Sequence, residues 1–351
     1  MTADYMPQQL RSLRRELLRW YDQNRRELPW RRDPAPYRVW ISEIMLQQTR
    51  VAAVLDHYAR FMVRFPTVDA LAAAREPSVL AAWSGLGYYH RARRMRQAAK
   101  IIVKQGSFPQ TAEQWLELPG IGRYTAAAIA SIAFGERVAV VDGNVERVLR
   151  RLCGNHAQVS PTDGRTWGTV QGRDRKIKIA WLQAEALLDR KRPGDFNQAM
   201  MELGAIVCTP RAPQCLICPI SAFCQTRGEE QREPAPARKL REVNYALVLR
   251  RDSLLLVQRP ADASLMAGMW ELPSLAPEQT NGDEPVLRVR HSITDTDYRI
   301  TVYAMAPEQL RELATEGKWF PLKRSERLPL TGLTRKVLRR IPLHRSRNPD
   351  I

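Results

Sequence analysis

Leu118-Pro119-Gly120-Ile121-Gly122-Arg123-Tyr124-Thr125 is the stretch on which the reading of the fold turns. It lies between two segments patterned as helices, and Thr111-x-x-Gln114 offers a capping box to the first of them. Two glycines let backbone amides come close to a phosphate, and the start of the second helix is a favourable end for negative charge. A glycine turn between helices also arises from geometry alone, so its neighbours must decide. Downstream, Val138–Val141 is a short apolar run ending at Asp142-Gly143-Asn144-Val145-Glu146-Arg147, where a helix is expected to start with Asp142 as its N-cap.

Outward from this hairpin, residues 1–227 carry repeated helical patterning, as in Leu71–Trp83, Ala92–Lys104 and Thr125–Phe134. A mostly α N-terminal domain over 1–227 follows. Gly228–Glu242 is charged, contains proline and has almost no large apolar residues, which predicts a solvated linker over 228–242. The period then changes: Val243–Leu249 and Leu254–Gln258 are short apolar runs separated by Arg250–Ser253, and Tyr298–Met305 alternates. These predict a hairpin and further strands, hence an α+β C-terminal domain over 243–345.

The 351 residues carry a formal charge of +18, and a polyanion is the commonest reason for a folded protein to hold so much positive charge. Nucleic acid is the leading candidate partner, ahead of a scattered solubilising surface or anionic lipid. Apolar stretches such as Ala126–Ala130 fall far short of the roughly 20 residues needed to span a bilayer. The N-terminus lacks a signal-peptide core, and Glu16, Asp22 and Glu27 argue against a transit peptide. The expected compartment is the cytoplasm, of bacterial type, with nucleoid association through DNA.

Four of the five cysteines lie together as Cys208-x6-Cys215-x2-Cys218-x5-Cys224. Loops of this size bring four sulfurs around one centre, and thiolates suit zinc or an iron–sulfur cluster. Disulfides are disfavoured in a reducing compartment. The spacing alone leaves the metal open, although the irregular loops do not match the paired C-x2-C zinc pattern. Cys153 is read as a buried small apolar residue.

The four-cysteine loop, the hairpin and Asp142 together resemble the helix–hairpin–helix DNA glycosylases of the endonuclease III and MutY superfamily. The resemblance implies one 4Fe-4S cluster on Cys208, Cys215, Cys218 and Cys224, serving structure and presenting basic residues such as Arg211 to DNA. It implies phosphate positioning by the hairpin through Gly120 and Gly122, without base reading. Asp142 becomes the active-site aspartate, ionised near a helix N-terminus and stabilising a cationic sugar, with Asn144 in the same catalytic set.

The string Ser42-Glu43-Ile44-Met45-Leu46-Gln47-Gln48-Thr49 resembles the MutY motif SEVMLQQT, whose Glu protonates adenine, so Glu43 is the second expected acid. An isolated Glu on an amphipathic helix would more often face solvent. Leu28-Pro29-Trp30-Arg31 and Phe196-Asn197-Gln198-Ala199-Met200 match further family segments, implying that Trp30, Arg31 and Gln198 line a base pocket. Tyr124 stands where bifunctional relatives carry a Schiff-base lysine, which implies a monofunctional enzyme. Gly85-Leu86-Gly87-Tyr88-Tyr89 is similar to another family segment, so Gln48, Thr49, Leu86 and Tyr88 are expected to wedge the duplex.

Gln258-Arg259-Pro260 and Gly268-Met269-Trp270-Glu271-Leu272-Pro273 resemble the MutT-like (Nudix-like) domain of MutY proteins, and no G-x5-E-x7-R-E-x-x-E-E box follows, so lesion recognition without hydrolysis is expected of it. The family's Phe-Ser-His loop reads Ile293-Thr294-Asp295 here, so its contacts to the lesion do not carry over directly. The resemblance as a whole implies excision of adenine from double-stranded DNA containing A:8-oxoguanine or A:G mispairs, by a monomer with no membrane partner.

Overall fold

Proline or a capping oxygen opens most of the helices that carry candidate site residues. Proline occupies the first turn of Pro29–Arg32, Pro36–Leu46 and Pro193–Ile206, where its missing N–H is no loss. The Thr111 hydroxyl and the Gln114 side chain form the expected capping box at Ala112–Leu116. Gly135, at φ +72°, ends Arg123–Phe134 in the left-handed conformation that glycine adopts without strain. The structure is a computed structural model describing residues 7–154, 173–227, 238–260, 262–263, 266–280, 284–293, 296–311 and 317–341.

The chain divides into two compact units, each discontinuous in sequence: 1–48 with 101–233, and 49–100 with 234–351. The first unit is helical. Val145, Val148, Leu149 and Leu152 recur at helical spacing along Gly143–Cys153 and pack with Leu13, Leu17 and Tyr21 of Pro7–Asn24 and with Phe196, Ala199 and Leu203 of Pro193–Ile206. Burying each large side chain of this kind contributes about 1.5–3 kcal/mol. Cys153 is buried in the same cluster, as expected.

Among the described residues, the second unit contains the helices Val51–Arg64, Val68–Ala73 and Glu76–Trp83, the His90–Lys100 part of His90–Gln105, and a seven-stranded sheet. Its strands are β1 Lys239–Arg250, β2 Ser253–Gln258, β3 Trp270–Glu271, β4 Ser274–Leu275, β5 Leu287–Ile293, β6 Thr296–Met305 and β7 Lys318–Pro321. The order is β3-β2-β1-β6-β5, with β4 against β1 and β7 against β2. The expected hairpin forms with Arg250 opposite Ser253, while β1 and β6 run parallel from Lys239↔Thr296 to Val248↔Met305. Tyr245 and Leu247 enter one core and Ala246 and Val248 another, so β1 is buried on both faces over residues 245–248, which read as a continuous apolar run.

Two expectations about organisation change. The segment read as linker is already strand from Lys239, because backbone pairing to β6 stabilises polar residues that have no apolar pattern to announce them. The single boundary at residue 227 is also not how contacts divide the chain: 49–100 groups with the C-terminal residues, and Ser84, Tyr89 and Arg93 bond to backbone carbonyls there. Among the described residues, no helix is long and apolar enough to cross a membrane.

Candidate active site

Glu43 lies on Pro36–Leu46 within a run, Val39–Met45, that is buried throughout, and its own exposure is 6%. Tyr124, in the first turn of Arg123–Phe134, donates its hydroxyl to Glu43 Oε2 at 2.8 Å. The hydroxyl also lies 3.1 Å from Met201 Sδ. Burial pushes the Glu43 carboxyl up to about 7; the Tyr124 hydrogen bond opposes this, the Asp142 charge adds to it and the Arg31 charge opposes it. Near neutrality such a group is divided between its two forms, which suits an acid that must give up a proton.

Arg31 is held by a buried acid that the sequence analysis did not single out. Glu202, 1% exposed, accepts Arg31 Nη2 at 2.9 Å and both Arg26 Nε and Nη2 at 2.7 Å. Burial alone would raise its carboxyl, but the hydrogen bonds from Arg26 and Arg31 prevail and hold it down to about 2. The Arg31 guanidinium also lies over the Tyr21 ring at 5.5 Å, and Nη1 donates to the Arg26 carbonyl at 3.1 Å. A lone acid in the otherwise apolar run Ala199-Met200-Met201-Glu202-Leu203 is a signal that could have found Glu202, since a buried charge needs partners. Trp30 is buried beside Arg31 in the same short helix, and Gln198 is half-buried one turn before Glu202.

Asp142 is the N-cap of Gly143–Cys153: Oδ1 accepts the backbone N–H of Asn144 at 2.9 Å and of Val145 at 2.7 Å. Oδ2 accepts Asn144 Nδ2 at 3.1 Å. Burial raises the Asp142 carboxyl from its ordinary value, against the lowering effect of these bonds and of the Arg147 charge. Asn144 Oδ1 accepts Arg147 Nη2 at 2.9 Å, while Arg147 Nε donates to the Cys208 carbonyl at 2.9 Å. Gly204 has no room for a side chain, since a Cβ there would lie 2.8 Å from Asn144 Cβ.

In the hairpin, Gly120 has φ +86° and so needs glycine, whereas Gly122 has negative φ and open space around it. Arg123 stacks on Trp181, its Cζ 3.8 Å from the ring centroid. Of the residues expected to enter a duplex, Gln48 is exposed with φ +58° and Thr49 half-buried. Tyr88 is half-buried with φ +48°, whereas Leu86 is turned inward at 6% exposure. Thr294 and Asp295 of the altered lesion loop lie outside the described residues, as does the side chain of Ile293.

Cys208, Cys215, Cys218 and Cys224 line one cavity together with Arg151. Arg151 Nη1 donates to the Thr209 carbonyl at 2.9 Å and lies 3.3 Å from Cys208 Sγ, so the loop is fastened to the helix that Asp142 caps. Among the described residues, no three His, Cys, Asp or Glu groups converge on a single metal ion. Four thiols around one cavity are a donor set that suits a thiolate-bound metal centre, zinc or iron–sulfur.

Residues 41–166 match the HhH-GPD superfamily of base excision DNA repair proteins, and 244–340 match a NUDIX domain. The chain is similar to an adenine DNA glycosylase of Homo sapiens, 38% identical over 75% of this chain and 57% of that one. An adenine DNA glycosylase of Buchnera aphidicola subsp. Acyrthosiphon pisum is 33% identical over 73% of this chain and 72% of that one. The chain spans about half the length of the human, rat and Arabidopsis thaliana relatives. Among solved structures, a thermostable thymine-DNA glycosylase superimposes with a TM-score of 0.53 at 28% identity, covering 62% of this chain and 96% of that one. An endonuclease III–DNA complex shares the fold, with a TM-score of 0.51 at 22% identity over 64% of this chain and 97% of that one.

Proposed function

Since the chain belongs to the adenine DNA glycosylase family, we propose that it removes adenine from double-stranded DNA where adenine is mispaired with 8-oxoguanine or guanine. The observation that carries this reading is the Glu43 carboxyl, buried, bonded to Tyr124 and raised to about 7, in the same helical unit as Asp142. Adenine has to leave the base stack before its glycosidic bond can be reached, and a mispaired base costs less to extrude than a well-paired one. Glu43 then donates its proton to adenine N7, which makes the base a better leaving group. As the bond lengthens, positive charge develops on the sugar and the Asp142 carboxylate stabilises it. Water completes the hydrolysis. Tyr124 supplies no amine, so the product is an abasic site left uncleaved, the outcome of a monofunctional enzyme.

Trp30, Arg31 and Gln198 line the base pocket in this reading, and Glu202 keeps Arg31 from swinging away. Gly120 and Gly122 present hairpin amides to phosphate, while Gln48, Thr49 and Tyr88 enter the duplex around the mispair; Leu86 would have to turn outward to join them. The NUDIX-like residues read the 8-oxoguanine strand. The test is single-turnover excision on duplexes carrying A:8-oxoguanine, A:G and C:8-oxoguanine. Release of adenine from the first two and no release from the third is expected; a chain that leaves all three intact would sink the proposal.

Cys208, Cys215, Cys218 and Cys224 would hold one 4Fe-4S cluster, which when bound supplies a structural tie and no step of the excision. The purified protein should therefore be brown, with broad visible absorbance and iron in excess of zinc. One zinc per chain with no iron, in protein prepared without oxygen, would overturn this assignment.

A further inference from the structure

The loop from Gly85 to Tyr88 is secured more firmly than its length requires. Gly85, Gly87 and Tyr88 have φ of +107°, +69° and +48°, and a non-glycine residue in that region persists only where its surroundings overdetermine it. Some of the constraint is local. Trp83 Nε1 donates to the Gly87 carbonyl at 3.0 Å, and Arg91 Nη2 donates to the Leu86 carbonyl at 3.1 Å while its guanidinium lies over the Trp83 and Tyr88 rings.

The rest of the constraint comes from residues more than two hundred positions away. Ser84 Oγ and Tyr89 Oη, one at each end of the loop, both donate to the Leu330 carbonyl at 3.0 Å. Both donors are buried, at 5% and 3% exposure. Leu330 is itself fixed, because it bridges to Trp270 of β3, whose N–H donates to the Pro329 carbonyl at 2.9 Å and whose carbonyl accepts the Thr331 N–H at 3.0 Å. Thr331 then caps Gly332–Leu338. One carbonyl, set in the NUDIX-matching segment, thus anchors both ends of the loop that presents Tyr88.

We propose that Tyr89, with Ser84, is a positioning residue that ties the NUDIX-matching domain, through the Leu330 carbonyl, to this loop, so that binding of 8-oxoguanine by that domain holds Tyr88 in its duplex-entering conformation. The inference rests on the adenine glycosylase reading above. Tyr89 acts through the Leu330 carbonyl and touches neither the base nor the sugar. Without the tie, the domain still binds the lesion, but that binding no longer steadies the loop, and the advantage of A:8-oxoguanine over A:G shrinks.

The test uses the full chain and the variants Tyr89→Phe, Ser84→Ala and the two combined. Two quantities are read: the ratio of single-turnover excision rates on A:8-oxoguanine and A:G, and the fluorescence rise of a 2-aminopurine placed beside the target adenine, which reports unstacking. Each neutral hydrogen bond is worth a factor of about two to ten in an equilibrium. The combined variant should therefore narrow the rate ratio by about five-fold or more and blunt the fluorescence rise on the 8-oxoguanine duplex, with the pH midpoint of excision unmoved. Tyr89→Phe keeps the ring in place and gives a smaller change of the same sign if the combined variant folds poorly. Equal loss on both duplexes, with the ratio and the fluorescence rise unchanged, would mean that the two hydroxyls only stabilise the fold and would overturn the proposal. A wild type that excises adenine from neither duplex would remove the functional reading instead; the fluorescence comparison then decides the tie alone, an unchanged rise overturning it.

Discussion

Glu43→Gln is expected to bind the mispaired duplex and release almost no adenine, with a single-turnover rate lower by about 100- to 10,000-fold, the usual contribution of a positioned general acid. The amide keeps the shape of the side chain and can still accept the Tyr124 hydroxyl, so what disappears is the transferable proton. In the wild type, the acid must be protonated to act, so excision should fall as pH rises through about 7, the value to which burial pushes Glu43. Folding stability follows the same sign. A carboxyl raised in the folded state contributes its full stability below the ordinary value of 4.5 and loses it as pH climbs through about 7. That difference amounts to about 3 kcal/mol. The variant escapes the loss, so thermal melts at pH 8.5 should show it more stable than the wild type, with the gap closing toward pH 4.5. Near-normal excision by the variant at neutral pH would take Glu43 out of the mechanism.

Asp142→Asn should lower excision by about 100- to 1,000-fold, the scale for removing one preorganised group that faces developing charge. The substitution separates two jobs that Asp142 performs. Asparagine is as good an N-cap as aspartate, so the bonds from the Asn144 and Val145 amides can persist and the helix should keep its stability. The charge is lost. Since the Asp142 charge raises the Glu43 carboxyl, the residual activity should also show a pH midpoint below that of the wild type. A variant with an unchanged midpoint and a rate within ten-fold of wild type would show that the carboxylate is only a cap.

Much of this site was legible in the sequence because its residues stand in contiguous strings. Ser42 to Thr49, Leu118 to Thr125 and Asp142 to Arg147 each carry their context with them, and the capping box at Thr111 and the N-cap at Asp142 formed where local chemistry placed them. Glu202 and Arg26 escaped notice because their pairing depends on the fold bringing together residues 176 positions apart. Direction was equally invisible: nothing in Gly85-Leu86-Gly87-Tyr88 says that Leu86 turns inward while the positive φ falls on Tyr88. The grouping of 49–100 with the C-terminal residues had no sequence signal either, since one of the contacts that join them, the Leu330 carbonyl, is backbone and has no side-chain identity to read.

That discontinuity has a consequence for the newborn chain. The helices between residues 49 and 100 leave the ribosome early, but the residues that complete their unit begin only at 234. At about 5–20 residues per second, translation keeps them waiting for roughly seven to twenty-seven seconds. During that interval Ser84 and Tyr89 have no Leu330 carbonyl to meet, and the apolar surface destined for the second unit is open to other chains. Yield of native protein should therefore respond to whatever shields nascent polypeptide during synthesis, and premature termination after the four-cysteine loop should be costlier to the early helices than their distance from the stop would suggest.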